Sequence, residues 1–210
     1  MVEPQLNEVE VRVLGALVEK SVTTPEYYPM SLVALVNACN QKSNRDPMTE
    51  YDARLVGETL ASLREKGLAR TMVGGDSRVP KYRHYFDEMY GLNAAETAIL
   101  CELMLRGPQT AGELRGRIER FGITMTLPEV ETQLTAMAER PAGALVVQLP
   151  RQPGRRDPRY AHLLAGQPSP DERPEPARAA QPGDERLARL EEELAVLRED
   201  FMALQAEFRH

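Results

Sequence analysis

Apolar side chains recur at three- and four-residue spacing in seven stretches of this chain and cluster in short extended runs in four others. The first stretch, Val9, Val13, Leu14, Leu17 and Val18, predicts a helix ending near Lys20, with Asn7 as its N-cap and Glu8 and Glu10 in the first turn. Pro25 and Pro29 bar a continuous helix, and Ser31 caps a second one through Leu32, Leu35, Val36 and Cys39. A third is expected from Thr49 through Leu55, Val56, Leu60 and Leu63, with Gly67 as its stop. Residues 68–73 and 77–86 then read as strands joined by the turn Gly74-Gly75-Asp76.

The order then repeats. Asn93 caps a helix through Ile99, Leu100, Leu103 and Met104; Thr110-x-x-Glu113 opens another; Pro128 leads a third through Val130, Leu134 and Met137. Strands follow at 144–149 and 156–164. The closing segments carry one signature twice: Arg78-Val79-Pro80-Lys81-Tyr82-Arg83-His84 and Arg156-Asp157-Pro158-Arg159-Tyr160-Ala161-His162. The leading helices also match, Glu10 to Leu14 against Glu96 to Leu100, at an offset of 86. The chain is thus a duplication. Three helices and a hairpin, twice, predict a mainly α fold with small antiparallel β-hairpins (α+β), as two tandem winged helix-turn-helix domains at 6–88 and 92–165.

Beyond them, residues 166–184 are rich in proline and charge without large apolar side chains, and read as an extended, disordered linker. From 185 to 210, Leu187, Leu190, Leu194, Leu197, Phe201, Leu204 and Phe208 keep the 3-4 spacing of a coiled-coil seam. Charges flanking this seam favour a parallel homodimer, Arg186 meeting Glu191 and Glu193 meeting Arg198 of the second copy. The alternative is one amphipathic helix folded back on the body.

Charge changes this picture little. The net charge is −6, of which residues 167–210 contribute −5 through 6 basic and 11 acidic side chains. The duplicated body, near neutral, offers no global attraction for nucleic acid. Neither a leader nor a membrane-length apolar run is seen, so a cytoplasmic protein is expected. Cys39 and Cys101 read as small buried hydrophobes, and His84 and His162, at equivalent strand ends, as structural groups. Phosphate loop, nucleophile motif and metal-ligand spacing are all lacking, so neither an enzyme nor a cofactor is expected.

The stretches Thr23-Thr24-Pro25 with Tyr28-Pro29, Asn40-Gln41-Lys42-Ser43-Asn44-Arg45-Asp46-Pro47, and Cys101-Glu102-Leu103-Met104-Leu105-Arg106-Gly107 resemble the YceH-like family of uncharacterised bacterial proteins. The resemblance covers roughly residues 6–165 and leaves out the tail. It implies a tandem winged-helix fold, with DNA binding presumed from that fold and no established activity.

Two functions are weighed. In the first, the protein is a regulator that binds duplex DNA weakly and with little specificity. In the second, it is a protein–protein adaptor that touches no DNA. Both third helices are acidic, at −2 over 49–65 and over 128–140, which disfavours groove insertion. Both hairpins are basic, at +4 over 66–86 and over 140–162. Lys42, Arg45, Arg78, Lys81, Arg83, Arg155, Arg156 and Arg159 are therefore the candidate phosphate contacts. The polar run 40–46 has two readings: a surface for phosphate or a partner, or side chains that close turns on the backbone.

Overall fold

The computed structural model describes residues 5–72, 79–151 and 157–168. Its first half runs α1 (Glu8–Thr23), β1 (Met30–Ser31), α2 (Leu32–Asn40), α3 (Ala53–Glu65), β2 (Ala69–Met72), β3 (Lys81–His84) and α4 (Phe86–Tyr90). The second runs α5 (Ala94–Arg106), β4 (Gln109–Thr110), α6 (Ala111–Arg117), α7 (Leu127–Ala138), β5 (Val146–Gln148) and β6 (Arg159–His162). The fold is mixed α and β, with two small antiparallel sheets ordered β1-β3-β2 and β4-β6-β5.

The repeated signature holds the same register in both sheets. Tyr82 pairs with Met30 and Tyr160 with Gln109; His84 pairs with Ala69 and His162 with Val146. A duplicated sequence thus places its tyrosine against the short first strand and its histidine against the second. Those short strands, β1 and β4, are too brief to show as period-two patterns.

Local chemistry sets most helix ends. Asn7, Asn93 and Thr110 each form a reciprocal capping box with a glutamate three residues on, and Ser31 accepts from Ala34 N. Several predicted boundaries move, and the first helix runs on to Thr23 rather than ending near Lys20. The third helix begins at Ala53, with Asp52 accepting from Leu55 N, rather than at Thr49. Residues 49–51 are instead tied back onto α2: Asn40 bonds both Tyr51 N and Tyr51 O, and Thr49 donates to Cys39 O. The returning strand also stops at His84, because the chain turns into α4, whose first amide donates to His84 Nδ1.

The expected core residues Val13, Leu17, Leu35, Val56 and Leu60, and their counterparts Ile99, Leu103, Ile118, Val130 and Leu134, are all fully buried. One apolar core runs through both halves. Its centre is the contact of α1 with α5, the two helices buried on every side. Gly15 permits this approach: a Cβ there would stand 2.9 Å from a Leu105 methyl. The Cys101 thiol donates to Gly15 O at 3.3 Å. Gly15 and Cys101 correspond under the offset of 86, so equivalent positions of the two copies meet, as in a two-fold interface.

Candidate functional site

Three places hold charged or polar groups worth testing for function. The first is the run 40–47, and it resolves inward. Gln41, Ser43, Asn44 and Arg45 are buried, and of residues 41–45 Lys42 alone faces solvent. Arg45 clasps Glu19 of α1 through both nitrogens, at 2.5 and 3.0 Å, and donates to Ala38 O. Glu19 is also met by Arg120 of the second half, which donates to Glu102 Oε1 at 2.6 Å. Asn44, in the left-handed region at φ 55°, accepts from Arg106 at 2.5 Å, and Asp46 N donates to Leu105 O.

This chain of ions joins the halves. Burial by itself would raise the Glu19 carboxyl, but Arg45 and Arg120 hold it well below the usual carboxylate range. Burial would likewise lower Arg120, and Glu19 with Glu102 keeps it raised. Arg12, which donates to Pro47 O, is pressed down to about 10 by burial and by the nearby Arg45 charge. Arg45 therefore cannot serve as the phosphate contact expected from sequence: its charge is consumed inside the fold. Glu19 and Arg120 were not singled out from sequence, and Glu102 and Arg106 entered only as part of the motif at 101–107. The available signal was a charged residue set inside an otherwise apolar helical run.

The second place is the hairpin surface. Lys81 and Arg70 are exposed; Arg70 and Arg83 lie over the Tyr85 ring at 4.1 and 4.5 Å. Arg83 is half-buried and reaches Glu88 at 3.4 Å. Arg159 is buried beside Glu113, at 4.0 Å, and so does not present its charge to a ligand surface as expected. Arg78, Arg155 and Arg156 lie outside the described residues, as do all seven seam residues from Leu187 to Phe208. The third helices differ. The exposed side of α3 carries Arg54, Arg64, Glu58 and Glu65 among alanines, with Arg54 paired to Glu58. The exposed side of α7 carries Glu129 and Glu131, with Glu139 at its C-cap, and no basic residue.

The third place is a cleft of about 540 Å³ between the halves. The first half lines it with Ser21, Tyr28, Arg83, His84 and Asp87; the second contributes Leu92, Thr97, Phe121 and Ile123. Ser21, His84 and Asp87 stand in a row, with His84 Nε2 2.9 Å from Ser21 Oγ and Nδ1 3.3 Å from Asp87. The hydrogen bonds run the wrong way for nucleophilic catalysis. Phe86 N donates to Nδ1, so the proton sits on Nε2 and is given to Ser21 Oγ, whose own proton goes to Val18 O. Burial pushes His84 down to about 4 despite the opposing pull of Asp87, so the ring is neutral. Among the described residues no group of side chains could hold a metal ion, and no helix is long and apolar enough to cross a membrane.

A family model described as a protein of unknown function, DUF480, matches residues 6–155. A UPF0502 protein of Citrifermentans bemidjiense is 54% identical over 195 residues, which cover 92% of this chain and 90% of its own. A UPF0502 protein of Opitutus terrae is 51% identical over 195 residues, 93% of this chain and 84% of its own. One from Solibacter usitatus is 50% identical over 207 residues, 97% of this chain and 98% of its own. That last match extends well past residue 166, so the likeness to relatives reaches into the tail, contrary to the expectation from sequence.

Proposed function

This chain belongs to the DUF480 family, and we propose that it is a non-enzymatic duplex-DNA-binding protein built on two winged-helix units. The observation that carries this reading is the element order of each half: helix, strand, helix, helix, strand, strand, with the last strand central in the sheet. That order is the one winged-helix modules use to present a third helix and a hairpin together.

The two units contribute unequally. On the first, Arg64 and Arg70 flank a shallow groove between α3 and β2, and Lys81 stands on the neighbouring strand. Ala53 and Ala61 keep the exposed side of α3 low enough for close approach. The Arg54–Glu58 pair is a surface pair and opens at little cost. On the second, the acidic α7 repels a phosphate backbone. Binding is therefore positioned by the first unit, is mainly electrostatic and carries little sequence preference.

An electrophoretic shift titration on random duplex at low salt tests this reading. The Arg64→Ala, Arg70→Ala, Lys81→Ala triple variant is expected to flatten the salt dependence by about 2.7 in log K against log salt, at about 0.9 per phosphate contact. Absence of a shift at tens of micromolar protein, where non-specific constants of roughly 10⁻⁴–10⁻⁶ M apply, overturns it. The exposed carboxylates of α7 favour a second reading, an adaptor that docks a basic protein segment. In that case duplex is not bound, and a partner is lost on reversing Glu129 and Glu131 to lysine.

A further inference from the structure

The cleft between the halves has no role in either reading, and its chemistry is specific enough to name an occupant class. Most of its polar atoms are already spent. Ser21 Oγ and the His84 ring serve each other, and Thr97 Oγ1 donates to Asn93 O. Two charges remain. The Asp87 carboxylate is 44% exposed. Its nearest ring nitrogen, His84 Nδ1, already accepts from Phe86 N, so it offers Asp87 no proton. Arg83, 37% exposed, reaches Glu88 only at 3.4 Å and otherwise rests on the Tyr85 ring, and its Nε has no hydrogen-bond partner among the described residues. Tyr28 adds a phenol kept protonated by burial, whose oxygen accepts from His84 N and whose own proton can be donated.

The remaining wall is apolar, and Val22 and Met72 stand at it 46% and 45% exposed. Exposed side chains of that size beside a polar rim mark ligand grooves more than ordinary surface. A lone anion would meet Asp87 and a lone cation would meet Arg83. A fully apolar ligand would strip water from both. A ligand with both charges at one end of an apolar body satisfies every group at once.

We propose that this cleft binds a small zwitterion with a large apolar side chain, the chemistry shared by a hydrophobic α-amino acid and a hydrophobic dipeptide. Asp87 takes the ammonium group, Arg83 with the Tyr28 hydroxyl takes the carboxylate, and Val22, Leu92, Phe121 and Ile123 cover the side chain. The volume lies in the range of cavities that enclose small organic ligands, with room for the dipeptide. This proposal is independent of DNA binding.

Calorimetry and thermal melting of the full chain test it, with L-phenylalanine, the dipeptide Phe-Leu, 3-phenylpropionate and phenethylamine as probes. At a ligand concentration about a hundredfold above Kd, the melting temperature should rise by roughly 5–10 °C. The two zwitterions should bind at least about tenfold more tightly than either singly charged analogue, and the stronger of the two identifies the natural size. Asp87→Asn should weaken L-phenylalanine about tenfold while leaving 3-phenylpropionate no weaker, and Arg83→Gln should weaken L-phenylalanine likewise while leaving phenethylamine no weaker. Both variants change partly exposed side chains, at 44% and 37%, so calorimetry reads them in folded protein. Absence of heat and of melting shift with every zwitterion up to about 10 mM, well above a 1 mM constant, overturns the proposal. Equal affinity for zwitterions and analogues, or no change in Asp87→Asn, overturns it as well.

Discussion

The two halves share a topology and a strand register but have parted company everywhere that topology does not dictate. The first carries twelve residues between α2 and α3, from Gln41 to Asp52, and spends them on a buried strut against the second half. The second carries a short 3-10 turn at Ile118–Phe121, which delivers Arg120 into the same ion cluster. Neither half is complete at this junction alone: Glu19 needs one arginine from each. The outer surfaces diverge too, since α3 mixes charges while α7 is acidic. A duplicated unit keeps what its core requires and is free to differ on its faces; here one pair of faces became the joint.

The ion cluster is where that comparison breaks most sharply. Glu19→Gln leaves Arg45 and Arg120 buried without their shared counter-charge. It should cost about 3–5 kcal/mol in urea unfolding, the range for breaking a buried pair from one side. A loss comparable to an exposed pair, below about 1 kcal/mol, would mean the halves are not held through this cluster.

The cores should instead respond alike. Leu60 and Leu134 occupy matching places on α3 and α7, 1% and 0% exposed. Truncating either to alanine should cost about 2–5 kcal/mol, and the single shared core predicts one cooperative transition in both variants. Two transitions in either variant would show that the halves unfold separately.

The repeated histidines give the smallest and most graded contrast. Burial lowers both His84 and His162 to about 4, from the ordinary value near 6.5. The unfolded chain therefore binds protons that the native ring refuses. The stabilising contribution is whole above about pH 6.5 and is lost as the pH falls toward 4. For His84, 8% exposed, the loss should reach roughly 3 kcal/mol. His162, whose Nδ1 is buried, is lowered by burial alone to the same value, so its share is comparable. Stability measured against pH should lose a comparable part of this slope in His84→Gln and in His162→Gln. Parallel curves for parent and His84→Gln would remove the histidine from the acid response.

Sequence determined the repeating plan. Asn7, Ser31, Asn93 and Thr110 cap helices where their side chains precede apolar runs, because a cap is settled within one turn of chain. Alternation and a recurring Tyr-x-His located both closing strands, and the 3.6-residue period located all ten core side chains tested. Tertiary structure decided the rest. Spacing shows that α1 and α5 each have an apolar face, yet it cannot show that their polar sides are buried too, since that depends on what packs there. Glu10, Arg12, Glu19 and Glu102 look like solvated charges until distant chain closes over them. The run 40–47 is polar for the same reason. Its amides and guanidinium satisfy backbone and carboxylate groups that folding removes from water, some of them more than 60 residues away. Local patterns report local free energies; the sign and partner of a buried charge are fixed only when distant chain closes over it.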